Sequence, residues 1–161
     1  MNHFMRAHGY LPGPTQRPVA AGLLCGVVAV APSLALGWYA GTLAAGANAV
    51  GMRSELGAIV VAALAATAGG LYGRVFMRAA NDRRGGWLFG MGFGFLLWML
   101  GPGTVAHWIR GSPLVIGRTA QTLLALHLLY GLVLGLAFPR VHALVERGAG
   151  IGPGDGLPRA G

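Results

Sequence analysis

The sequence predicts an all-α membrane protein with four transmembrane helices, and three observations carry that prediction. Four long stretches hold no charged residue: Pro18–Met52, Leu56–Gly73, Gly85–Ile109 and Thr119–Pro139. An apolar run of about 18 or more residues is long enough to cross the hydrocarbon core of a bilayer as a helix. Hydrophobic residues make up 55% of the chain and charged ones only 10%, against about 25% charged in soluble domains. All 12 basic residues other than histidine are arginines, and they gather at the ends of the uncharged stretches. There they can meet anionic headgroups and orient the helices.

At 161 residues the chain has room for one domain. Four spans of about 20 residues take about half of it, leaving two tails and three short loops. The expected layout is a tail over 1–17, a transmembrane domain over 18–147 and a Gly/Pro-rich tail over 148–161. The spans are placed near 18–43, 55–77, 86–108 and 119–139. A net charge of +8 and a pI near 11.3 would fit a nucleic-acid binder. The arginines form no single patch, however, so lipid and not nucleic acid is the expected partner.

Met1–Arg17 is polar and bears Pro and Gly, unlike a signal peptide, so the first span is expected to be retained. That span starts at Pro18, a favourable first-turn residue. It passes Pro32, which removes a backbone hydrogen bond and should kink the helix. Trp38 and Tyr39 fit an aromatic belt at its far end. Ser54 is the expected N-cap of the second span, and Arg74 in its last turns can snorkel to the headgroups. The second loop, Arg78–Gly85, includes Arg83 and Arg84. The third span opens at Gly86-Trp87 and meets Gly101-Pro102-Gly103 after 15 residues, short for a crossing. Two continuations are open: the helix resumes, or the segment lies in the interface with Trp108 as its anchor. The fourth span ends around Pro139 and Arg140, with Val141–Arg147 able to extend it.

The tails and second loop, with their flanks, carry nine arginines, while Arg53, Arg110 and Arg118 make three on the other side. The positive-inside rule therefore expects a multi-pass protein with both termini in the cytoplasm, and the expected host is a bacterial inner membrane. Leu71-Tyr72-Gly73 and Leu129-Tyr130-Gly131, with Gly41-Thr42 and Gly103-Thr104, recur in the same order in the two halves. They fit two repeated helical hairpins. Chance matching in a Gly/Ala/Leu-rich sequence is the competing account.

Small residues recur at four-residue spacing: Gly22 and Gly26, Gly37 and Gly41, Gly69 and Gly73, Gly86, Gly90 and Gly94, and Gly131 and Gly135. The series Ala58, Ala62, Ala66 and Gly70 repeats the pattern. Residues four apart share a helix face, and small ones let helices approach closely in lipid. These faces can pack the bundle on itself or serve other subunits.

Little in the spans points to chemistry. His127 lies near the middle of the fourth span, where an ionisable group is costly and marks a functional candidate. It can make an interhelical hydrogen bond, contact a haem or pigment, or join a proton path. His107 is the one conceivable second axial ligand, but it falls near an interface and the depths match poorly. Cys25 is a lone cysteine inside the first span, which excludes an intramolecular disulfide and fits a buried apolar role. No carboxylate lies deep in a span, and no nucleophile–base arrangement or phosphate-binding loop is present. An enzyme is not expected.

Gly92-Phe93-Gly94, Trp98-Met99-Leu100, Pro102 and the stretch His127-Leu128-Leu129-Tyr130-Gly131-Leu132-Val133-Leu134-Gly135 resemble a family of small four-helix bacterial membrane proteins. The resemblance covers roughly the C-terminal third, implies no activity, and marks His127 and Tyr130 as positions to watch. The leading functional expectation is an accessory, non-catalytic subunit packed against other integral membrane subunits of a respiratory or photosynthetic electron-transfer complex. The alternatives are a small transporter or channel and a haem- or pigment-binding protein using His127. No cofactor is required by the first reading, while bound lipid suits all three.

Overall fold

The computed structural model describes residues 17–76, 85–105, 108, 111 and 117–148. Its elements are α1 (Pro18–Tyr39), α2 (Thr42–Ala49), α3 (Ser54–Val75), α4 (Gly86–Trp98), a π-helical turn over Met99–Val105, and α5 (Arg118–Gly148). Four segments are long and apolar enough to cross a membrane: Pro18–Tyr39, Ser54–Val75, Gly86–Thr104 and Arg118–Val145. The chain is an all-α, multi-pass membrane protein.

Several boundaries differ from the sequence-based expectation, each for a local reason. α1 runs through Pro32 but stops at Tyr39, short of residue 43. Gly41 then takes a left-handed φ of 70°, which reverses the chain and which glycine adopts without steric cost. The expected loop after the first span is instead largely helical, as α2. A second left-handed glycine, Gly51, leads out of α2. Arg53, not Ser54, occupies the N-cap of α3 and makes no side-chain cap bond; Ser54 is the first helical residue.

The third span does not break at Gly101-Pro102-Gly103. Pro102 has no N–H to offer the carbonyl four residues back, and its ring would clash with that carbonyl. The chain widens into a π turn, a known way of absorbing such an interruption. The resulting 19-residue span is about 28 Å long at α-helical rise, close to the ~30 Å hydrocarbon core. α5 passes Pro139 and continues to Gly148, giving 31 residues, or about 46 Å. Arg140 donates from its guanidinium to the Leu136 carbonyl at 3.0 Å.

Glycine seams join the helices into two hairpins. In the first, a Cβ on Gly22 would land on the Gly69 carbonyl oxygen, and one on Gly26 would lie 3.0 Å from Ala66 Cα. At the end of this seam Gly73 meets the Pro18 carbonyl. In the second, Gly90 faces Gly131 and Gly135, Gly94 faces the His127 carbonyl, and Gly135 faces Gly86. Lipid offers no hydrophobic drive to bring helices together, so such close backbone contact supplies dispersion energy that larger residues would prevent.

The hairpins join along α1 and α5. Ala21, Cys25, Ala29 and Val30 of α1 form one buried core with Tyr130, Leu134 and Phe138 of α5. Ser33 donates to the Leu126 carbonyl at 3.0 Å, and Cys25 Sγ lies 3.5 Å from the Leu134 carbonyl. Both tyrosines of the repeated Leu-Tyr-Gly landmark reach across to the other hairpin. Tyr72 donates to the Gly86 carbonyl at 3.3 Å and Tyr130 to the Ala65 carbonyl at 2.7 Å. One end of the bundle is plugged by rings: Tyr72 lies 5.3 Å from Phe93 and 5.6 Å from Phe138, and Phe138 stacks on His142 at 5.7 Å. The other end is open.

Candidate functional site: an apolar cavity beside His127

At the open end the helices part around a half-open cavity of about 620 Å³. α1, α2, α3, α4, α5 and the π turn all contribute to its wall, through residues such as Leu64, Leu97, Pro102, Leu126 and His127. The volume falls within the roughly 300–1,000 Å³ of small-molecule sites. α2 is held over this end by packing: a Cβ on Gly57 of α3 would lie 2.9 Å from Ala47 Cβ. Among the described residues no charged side chain lines the cavity.

The polar side chains of the wall are Ser33, Thr42, His127 and Tyr130. Three spend their hydrogens on backbone: Ser33 on Leu126, Tyr130 on Ala65, and Thr42 on the Gly37 carbonyl at 3.2 Å. His127 Nδ1 stands 2.7 Å from the Leu123 carbonyl. A carbonyl only accepts, so Nδ1 carries a proton, and in the neutral imidazole Nε2 carries a lone pair. Nε2 has no partner among the described residues and is not sealed from accessible space. The polar side chains that line the cavity thus hold acceptors and no spare hydrogen.

His127 therefore bonds within its own helix, not between helices as the sequence allowed. The imidazole reaches back one turn, the geometry open to any residue whose ring nitrogen can meet the carbonyl four positions earlier. Of the small residues expected at packing faces, Gly22, Gly26, Gly69, Gly73, Gly90, Gly94, Gly131 and Gly135 lie in the two seams, and Gly86 supplies a carbonyl to one. Gly37 is looser, with Thr42 Oγ1 3.3 Å from a Cβ placed there. Gly41 has nothing within 4 Å and serves the turn instead. Trp38, Tyr39, Trp87 and Trp108 are exposed at helix ends or beyond, as is Arg74, whereas Arg140 is exposed but lies within α5, which continues to Gly148. Arg83, Arg84 and His107 lie outside the described residues.

No protein-family model, curated protein or solved structure matches this chain. The cavity itself was not legible in the sequence, because it arises where helices diverge and its wall is ordinary Leu, Val and Ala. The tyrosines left a trace: each follows a leucine and precedes a seam glycine. Trp98 left none. It is 6% exposed, and its indole N–H has no hydrogen-bond partner among the described residues.

Proposed function

We propose that the protein is a non-catalytic membrane protein that holds an apolar molecule of the bilayer in the cavity beside His127. The observation that supports this most is the pairing of a ligand-sized apolar cavity with one open imidazole nitrogen at its wall. The spans lack the buried acid that proton- or cation-coupled transport generally uses. Glu55 stands exposed in the first turn of α3, with Arg53 3.6 Å away. On the arginine distribution, both termini are cytoplasmic and the cavity opens at the arginine-poor, outer side; the resemblance of the C-terminal third to small four-helix bacterial membrane proteins makes the host a bacterial inner membrane. Native mass spectrometry after gentle detergent extraction is the test. A retained apolar adduct, lost when Leu97→Trp fills the cavity, is expected; a protein that carries no adduct would sink the proposal.

A second reading keeps the accessory role in a respiratory or photosynthetic complex, and one observation favours it. A Cβ on Gly92 would have nothing within 4 Å, and the residue sits among exposed Leu88, Phe89, Phe95 and Leu96. That notch on the outer face of α4 fits a side chain from a neighbouring subunit's helix. Haem or pigment at His127 would serve either reading. Mild-detergent purification should then bring down partner subunits in fixed ratio, whereas a stable lone protein counts against this role.

A further inference from the structure

The chemistry of the wall narrows what the cavity can hold. We infer that its occupant is a neutral amphiphile whose polar end is a hydroxyl, donated to His127 Nε2. The inference rests on the cavity being a binding site at all.

The argument is one of matching donors to acceptors. A buried polar group left without a partner loses its hydration and gains nothing in return. The hydroxyls of Ser33, Thr42 and Tyr130 have given their hydrogens to backbone carbonyls, and His127 has given its Nδ1 proton to Leu123. These side chains therefore offer lone pairs only, and of these the imidazole Nε2 is the most basic and lies on an accessible edge. Placed against Nε2, a polar end that only accepts, such as a quinone carbonyl or an ester, would set lone pair against lone pair. A phosphate or ammonium headgroup would meet no counter-charge, because no charged side chain among the described residues lines the cavity. An amide brings a donor but also a strong acceptor that these side chains cannot satisfy. A hydroxyl donates one hydrogen, and the apolar remainder of the molecule matches Leu64, Leu97 and Leu126.

The tautomer is fixed by structure, which makes the preference robust to the occupant's size. Nδ1 can turn acceptor only if the ring gives up the Leu123 contact, since otherwise two acceptors would stand 2.7 Å apart.

The experiment compares two photoreactive probes in phosphatidylcholine nanodiscs: a diazirine-tagged octadecanol and its methyl ether. They share a chain and differ at the oxygen, which carries a hydrogen to donate in one and a methyl group in the other. Labelled residues are mapped by mass spectrometry. The alcohol should label cavity residues about threefold to tenfold more than the ether, the range one net hydrogen bond supplies. His127→Phe should bring the alcohol down to the level of the ether. Equal labelling by the two probes in the native protein overturns the inference while leaving the cavity a binding site. Labelling of the cavity by neither probe overturns the binding-site reading itself, and the inference with it. The comparison in the native protein needs no variant, so a poorly folding His127→Phe does not spoil it.

Discussion

Gly90 and Gly92 lie two residues apart in one helix, and alanine should have opposite effects at the two. At Gly90 a Cβ would meet the Gly131 carbonyl oxygen, with Gly135 Cα and N both 2.8 Å away. Carbon atoms rest at about 3.5–4.0 Å, so α5 would have to retreat by roughly 0.7–1.2 Å. A gap of that size forfeits about a quarter to a half of the attraction at each contact it opens. The neighbouring contacts at Gly86, Gly94, Gly131 and Gly135 share the same interface. Overpacking of this kind costs about 1–3 kcal/mol, offset by up to ~1 kcal/mol from the better helix propensity of alanine. At Gly92 a Cβ meets nothing within 4 Å, so only the propensity gain applies. The two variants should differ by about 1–3 kcal/mol, or roughly five- to 150-fold in the unfolding equilibrium. Titrating dodecyl maltoside micelles with SDS, followed by circular dichroism, reads the difference. The expected order of midpoints is Gly92→Ala at or above the native protein, then Gly90→Ala. If Gly90→Ala unfolds at the same midpoint as Gly92→Ala, the seam is not what holds α4 to α5.

Gly41→Ala should cost about 1–2 kcal/mol from its left-handed backbone alone, whereas Gly46→Ala, with open space around it and an ordinary φ, should be neutral or stabilising in the same titration. Tyr130→Phe should lower stability by about 0.6–1 kcal/mol, more than Tyr72→Phe, because its bond is 2.7 Å against 3.3 Å; a larger loss at Tyr72 would contradict that ranking. In a Cys25→Ala background, Arg53→Cys should react with an impermeant maleimide added outside intact cells and Arg74→Cys should not, and the reverse pattern would invert the proposed topology.

The spans were readable because lipid imposes a strong rule: about 20 residues without charge leave few other fates for a chain. Seam glycines were readable for the same reason, since four-residue spacing places them on one face. Their pairing was not, because spacing along one helix does not say which helix it meets. The end of α1 was misplaced by four residues because Gly41-Thr42 reads equally as the close of a span and as a turn. Glycine supplies the left-handed φ, but only the chain beyond it shows that the φ is used. The Gly101-Pro102-Gly103 segment looked like a break because proline cannot continue α-helical bonding, and a widened turn leaves no signature distinct from a true stop. His127 was found by its depth. Its tautomer could not be, as it depends on a rotamer choice between its own helix and its neighbours.

The π turn holds a further consequence. In an unbroken α-helix Gly101 would stand two turns beyond Gly94, on the same face, and would carry the α4–α5 contact onward. Instead Gly101 has nothing within 4 Å of its Cβ position and lines the cavity. One extra residue per turn has changed the register, and the two helices unzip from that level. The size of the cavity is therefore governed by chain length as much as by side-chain bulk. Deleting a single residue between Met99 and Val105 would restore the α-helical register and draw the walls together, while an insertion would rotate the π turn's wall residues by about 100° and give the chamber a different lining.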